Sequence, residues 1–319
     1  MKKYYLFFTI VALAIGAYFF FHLSSESNKT QTNSINSSFQ TKTITHDFGT
    51  TELTKEPKRI VILNNLYAEV LMPLGITPIG ATTAQADSSE FSTLFKKDFE
   101  SANVISLGWQ KSPNLEKIAE LQPDLILMTT HQKDIYDKLS QIAPTIGYKM
   151  NTEENWDYTE VALKVADIFD KKEQMQNIIN QVAQKQEKLA NKVTETFKNQ
   201  KLMYVRITDK SIRCYAYGRF GYLYETYHFN RAEEFDPANM FEIIDTEKLK
   251  ELNPDLLIIQ ADSKELLESK LHNSPVWNQL TAVKNKKVIY ADYSTYMLGF
   301  GVVSQEAIMD QISTEWGLN

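Results

Sequence analysis

The chain has 319 residues, a formal net charge of −6 and 43% hydrophobic residues, which is length and apolar content enough for two domains with separate cores. Its net acidity argues against nucleic acid as the partner. A single cysteine, Cys214, excludes an internal disulfide and a cysteine-rich metal centre.

In chain order, Lys2 and Lys3 precede about twenty mostly apolar, uncharged residues, Tyr4 to Leu23, a run long enough to cross a bilayer. The lysines on its near side place the N-terminus in the cytoplasm and the rest outside. Residues 1–23 therefore read as a transmembrane signal-anchor, residues 4–23 being the membrane contact. A signal peptide cut near Ala14 to Ala17 is the alternative. No cysteine follows the run to carry a lipid. Residues 24–56, rich in Ser, Thr, Asn, Gln and Lys, read as a polar tether whose end, Lys42 to Leu53, alternates enough for an edge hairpin.

The folded body begins at Pro57. Strand, helix and strand follow in quick succession at Ile60 to Leu63, Tyr67 to Leu74 and after Gly80, which implies a parallel pair. A further strand at Val104 to Leu107 leads through Gly108 and Trp109 into NLEKIAELQPDLIL, starting at Asn114. A near-copy, TEKLKELNPDLLII, starts at Thr246. The copies share Glu116 with Glu247 and Pro123-Asp124-Leu125 with Pro254-Asp255-Leu256. Each reads as a short helix that stops at Pro-Asp and feeds a buried strand.

Between the copies lies Lys171 to Lys198, without Gly or Pro. Its apolar residues Met175, Ile178, Val182, Leu189, Val193 and Phe197 keep helical spacing, with a polar gap at Gln186. Such a helix spans roughly 40 Å. The expected fold is α/β: two Rossmann-like lobes with mainly parallel sheets joined by one long backbone helix. The N-terminal lobe covers 57–154, the bridging helices 155–199 with the spine at 171–198, and the C-terminal lobe 200–319. A ligand cleft is then expected between the carboxyl ends of the two sheets.

Pro57-Lys58-Arg59-Ile60-Val61, the first copy of the repeat, QKDIYDKL from Gln132 and Gly218-Arg219-Phe220-Gly221 resemble the helical-backbone, class III substrate-binding proteins of iron-siderophore ABC importers. The match runs from about residue 43 to the end. The last two phrases are most similar to members that bind ferric catecholates. The resemblance implies an extracytoplasmic, membrane-anchored monomer that captures a ferric siderophore. It also implies delivery to an ABC permease dimer driven by a cytoplasmic ATPase, with no cofactor and no catalysis.

The arginines point the same way from chemistry alone. Of 34 basic residues five are Arg, and Arg206, Arg213, Arg219 and Arg231 fall within 26 residues. A planar guanidinium is suited to carboxylate or catecholate oxygens. Arg219 leads the candidates, because Gly218 and Gly221 let a ligand approach and the Arg of this phrase contacts the chelate in catecholate-binding relatives. Arg213 shares a strand face with Tyr215 and Tyr217, a face that belongs either to cleft or to core. Arg206 is either a ligand contact or half of an ion pair.

His131 stands where several catecholate binders have Arg, so a fixed charge becomes a titratable one. His228 reads as a partly buried helix residue rather than an iron ligand. Among aromatics, Trp109 and Tyr296 are preferred ligand contacts by family position, Tyr67 and Tyr293 are further candidates, and Asn64, Asn65 and Gln110 are weaker ones. Iron is held by the siderophore, with Tyr296 the single candidate for direct contact. Glu116 and Glu247 open helices, where acids favour the dipole, and their repetition matches the family's permease-docking pair.

Signatures of hydrolases, phosphate loops and zinc proteases are absent. Haem or cobalamin, ferric citrate and other carboxylates on the same scaffold, and a tethered sensor without transport, are the alternatives.

Overall fold

The structure, a computed structural model, describes residues 39–83, 85, 90–150, 157–236 and 238–318. The expected anchor over 1–23 and the first part of the tether lie outside them, as does Trp156. Among the described residues no helix is long and apolar enough to cross a membrane.

The hairpin forms as β1 (Lys42–His46) and β2 (Gly49–Leu53), antiparallel. It does not float as a tether. Thr51 donates from Oγ1 to the Thr145 carbonyl at 2.7 Å and the Asp47 N–H to that of Gly147 at 3.1 Å, so the hairpin sits on β7 (Thr145–Tyr148), the edge of the first sheet. Covering an edge this way protects it from pairing with another chain.

That sheet has five parallel strands in the order β5 (Ile105–Trp109), β4 (Gly80–Thr83), β3 (Ile60–Ile62), β6 (Leu125–Thr129), β7. β3 and β6 are buried at every position, as helices on both faces of a parallel sheet require. The order runs one way from β3 to β5 and the other from β3 to β7. A crevice therefore opens where the chain leaves β3 and β6.

The second sheet runs β11 (Glu242–Ile244), β9 (Ile212–Tyr215), β8 (Lys201–Ile207), β12 (Leu256–Ala261), β13 (Val288–Tyr290), with β10 (Asn230–Arg231) also on β8. β8, β12 and β13 are parallel and β9 antiparallel to β8, which sets Arg206 opposite Arg213. Its switch point lies at the carboxyl ends of β8 and β12.

Two helices lie between the two sheets, Thr159–Ile168 and the long helix Lys172–Phe197. Its buried stripe is Met175, Ile179, Val182, Leu189, Ala190, Val193 and Phe197; Ile179 rather than the expected Ile178 faces inward. The polar gap at Gln186 is occupied: its Nε2 donates to Gln305 Oε1 at 3.2 Å on the C-terminal helix, Val302–Trp316.

Two direct links connect the first sheet's helices and loops to the second half. Thr93 donates from Oγ1 to Asp292 Oδ2 at 2.6 Å, and Asp292 also caps the short helix Tyr293–Tyr296. Glu69, in the helix Asn65–Leu71, meets the turn that opens the C-terminal helix.

Candidate functional site

The N-terminal wall is knotted at the crevice by one glutamine. Gln132 Oε1 accepts from the Thr129 N–H at 2.9 Å, while its Nε2 donates to the carbonyls of Gln110 and, at 3.4 Å, Leu63. The loops after β3, β5 and β6 are thus held by a single buried side chain. Asn64 strengthens the knot: Oδ1 caps its helix from the Leu66 N–H at 2.9 Å, and Nδ2 donates to Gln110 Oε1 at 2.6 Å. Asn64 and Gln110 are therefore frame, and half-buried Asn65 is the first residue of the helix.

Upon this frame stand Trp109, Lys111 and His131. Gly108, at φ +81°, bends β5 just before its last residue, half-buried Trp109, in a conformation that disfavours a side chain. The ammonium of exposed Lys111 lies 5.5 Å from the Trp109 ring centre. His131 is exposed at the start of a 3-10 turn, Thr130–Ile135.

On the C-terminal wall Arg206 donates to Asp262 Oδ1 from Nε at 3.0 Å and Nη2 at 2.8 Å, and its guanidinium carbon lies 4.8 Å from the Tyr293 ring centre. Burial opposes its charge, but Asp262 more than offsets that and holds the Arg206 pKa above its ordinary value. Arg213 lies 4.6 Å from the Phe241 ring, with Nε on Ser211 Oγ at 3.2 Å.

Arg219 differs from both. Gly218, at φ +58°, swings the chain into a 3-10 turn, Gly218–Phe220, and the guanidinium carbon comes to rest 4.5 Å from the Phe300 ring centre. Gly221 has no such role: its φ of −52° is helical and a side chain there would meet nothing closer than 3.7 Å. Burial pulls the Arg219 pKa below the ordinary guanidinium value. Only distant tyrosines, Tyr293 first, act against it. Among the described residues no carboxylate pairs with Arg219.

The two walls meet electrostatically at His131. Its pKa is lowered by burial, then by the charge of Lys111 on its own lobe, then by that of Arg219 on the other. Lys111, His131 and Arg219 form no ion pair among the described residues. Positive charges without a counter-ion raise the local potential and attract anions. Among the described residues no group of His, Cys, Asp or Glu is arranged to hold a metal ion.

Several expected contacts lie elsewhere. Tyr67 is fully buried, its hydroxyl donating to the Met128 carbonyl inside the N-terminal lobe. Tyr296 is 1% exposed with its hydroxyl on Gln311 Oε1 at 3.2 Å, so it reaches neither chelate nor iron; its ring lies 6.1 Å from that of buried Tyr204. Tyr215, 2% exposed, packs against Tyr204 and Phe220. Tyr217 lies past the end of β9 and stacks under Arg231 at 4.3 Å, off the face it was expected to share with Arg213. His228 is exposed with φ +61°, outside the helix Gly221–Glu225. Tyr293 stays beside Arg206.

Glu116 and Glu247 are exposed at equivalent places, each the second residue of its helix. Asn114 caps the first, Leu115–Glu120, from the Lys117 N–H at 2.9 Å, and Asp245 the second, Thr246–Leu252, from the Lys248 N–H at 2.7 Å.

The family model described as periplasmic binding protein matches residues 60–295. The petrobactin-binding protein YclQ of Bacillus subtilis is 28% identical, with 98% of each chain covered. The Fe(3+)-citrate-binding protein YfmC of the same organism is 29% identical over 81% of this chain and 80% of its own. The crystal structure of Staphylococcus aureus SirA complexed with staphyloferrin B superposes with a TM-score of 0.69 at 25% identity, over 86% of this chain and 98% of SirA.

Proposed function

Because this chain belongs to the periplasmic binding protein family, a family of binding proteins and not of enzymes, we propose that it captures an anionic ferric siderophore between its lobes and delivers it to an ABC permease for iron uptake. The observation that carries this reading is a set of positive charges with no ion pair among the described residues: Lys111 of the first half and Arg219 of the second both act on His131. Trp109, Phe300 and Tyr293 supply aromatic faces beside these charges. Arg206 serves through Tyr293 and Asp262 more than as a free donor, and Arg213 lines the same sheet face. A catecholate complex, with its high negative charge, suits two fixed cations, Lys111 and Arg219, beside a histidine that a bound anion would help to protonate. Ferric citrate is the second reading, favoured by the likeness to YfmC.

Titrating the purified protein with ferric catecholate, ferric citrate and a neutral ferric hydroxamate, followed by tryptophan fluorescence, tests this. The anionic complexes are expected to bind at least tenfold more tightly than the neutral one; equal affinities would refute the reading. The pH dependence has a definite sign. In the empty protein the His131 pKa lies below 6.5 and a bound anion raises it, so capture takes up a proton between the two values. Relative to His131→Ala, wild-type affinity should therefore strengthen as pH falls from 7.5 through 6.

Glu116 and Glu247 are assigned to permease docking, one exposed acid per lobe on matching caps. Reversing both to Lys is expected to abolish uptake in cells while leaving chelate affinity in solution unchanged. Uptake at the wild-type rate would remove the assignment. Residues 4–23 are assigned to holding this monomeric body at the outer face of the cytoplasmic membrane, where a permease with its ATPase can receive the cargo.

A further inference from the structure

We propose that the C-terminal lobe carries a second ligand site, a cavity of about 460 Å³ that takes a small molecule bearing a primary ammonium group. The volume is within the range of small-molecule pockets. Its walls include Tyr217, Tyr224, Glu225, Arg231, Glu233 and Glu234. None of these belongs to the cation cluster of the crevice.

Glu233 is 2% exposed, and among the described residues no other residue donates a hydrogen bond to either of its carboxylate oxygens, which only its own backbone N–H approaches. The Tyr224 hydroxyl is buried and unpartnered in the same way. Unsatisfied polar groups in a protein interior are uncommon and costly, and here two of them border one open cavity. A donor arriving through that cavity satisfies both.

The charge balance selects the donor. Glu233 and Glu234 outnumber Arg231, whose guanidinium lies over Tyr217. A cation is favoured. A metal ion is not, since among the described residues no group of acidic, His or Cys side chains is arranged to hold one. An ammonium group offers three directional donors, enough for a carboxylate and a phenol together.

The site also exchanges a proton. Burial pushes the Glu233 carboxyl up to about 7, with Arg231 acting the other way, and Cys214, Tyr224, Glu225 and Glu234 are the other titratable groups around it. An arriving ammonium ionises that carboxyl, so binding near neutral pH releases a proton.

Isothermal titration of the full chain with 1,5-diaminopentane at pH 7, in two buffers of different ionisation heat, tests this, with 1-pentanol as the uncharged control. Saturable binding of the diamine with proton release is expected, and none of the alcohol. Glu233→Gln should weaken it at least tenfold and remove the proton release while ferric-chelate binding persists; Tyr224→Phe, which keeps the ring, should weaken it several-fold. No saturable diamine binding by the wild type, equal binding of the alcohol, or a Glu233→Gln protein that binds like wild type would each overturn the proposal. If Glu233→Gln does not fold, the wild-type proton release and the Tyr224→Phe loss decide it.

Discussion

Arg219→Ala is expected to weaken capture of an anionic ferric chelate by at least about 30-fold, and to leave the ligand-free protein as stable as wild type or slightly more so. Truncating one partner of a desolvated charge pair costs about 2–5 kcal/mol of binding, and about 1.4 kcal/mol is tenfold in affinity. The second half of the expectation follows from what Arg219 lacks. Its guanidinium is desolvated against Phe300 with no carboxylate partner among the described residues, so the empty protein holds a charge at a cost that the ligand removes. Arg206→Ala makes the contrast. It strips Asp262 Oδ1 of both guanidinium donors, so it should lower stability while weakening binding less than Arg219→Ala. Equilibrium binding and denaturant unfolding on both variants check the pair. Wild-type affinity in Arg219→Ala would remove the anion site from this crevice.

The contrast between these arginines marks where sequence reasoning stops. Their clustering within residues 206–231 is visible in the sequence, whereas the register that sets Arg206 opposite Arg213 across β8 and β9 is not. That one of them is neutralised depends on Asp262, at the end of a strand paired with β8, and no local pattern reveals such a partner. Lys111 escaped notice because lysines are ordinary on a surface; only its place beside Trp109 and near His131 makes it part of the site. The tyrosines erred in the other direction. Tyr67 and Tyr296 stand near the expected crevice in sequence, yet each occurs among apolar neighbours and turns into the lobe, where its hydroxyl finds an internal acceptor.

The architecture was easier to read, because it rests on periodicity and repetition. The doubled Pro-Asp-Leu phrase places β6 and β12, and the apolar stripe places the joining helix, with one position, Ile178 for Ile179, taken from the wrong side. One signal was present and not used. Glu69 is a lone acid in the run Leu66 to Leu71, and Gly299-Phe300-Gly301 stands just before the last helix. An acid with no room in an apolar face and glycines at a distant helix start are two halves of one contact.

That contact makes Glu69→Ala the most destabilising substitution expected here, by about 3 kcal/mol. The carboxylate is 1% exposed and accepts from the Phe300 N–H at 2.6 Å, the Ser304 N–H at 3.0 Å and the Ser304 hydroxyl at 2.7 Å. It serves as the side-chain cap that Gly301 cannot supply, at a helix N-terminus where a negative charge is favoured. A side chain on residue 301 would come within 2.9 Å of Glu69, which explains the glycine. Removing the carboxylate strands buried donors at about 1–3 kcal/mol each, partly offset because a buried charge disappears as well. Glu69→Gln keeps one acceptor oxygen and should cost about 1 kcal/mol. Burial raises the Glu69 pKa, and the hydrogen bonds from Ser304 and Phe300 oppose this incompletely. The folded state therefore holds its proton more tightly than the unfolded chain. The resulting stabilisation is present in full below the unfolded carboxyl pKa and fades as pH rises through the folded value, a slope that Glu69→Gln should flatten. Because the same turn carries Phe300 to Arg219, Glu69→Ala should also weaken chelate binding, whereas a destabilisation under about 1 kcal/mol would show that the turn is held by other contacts.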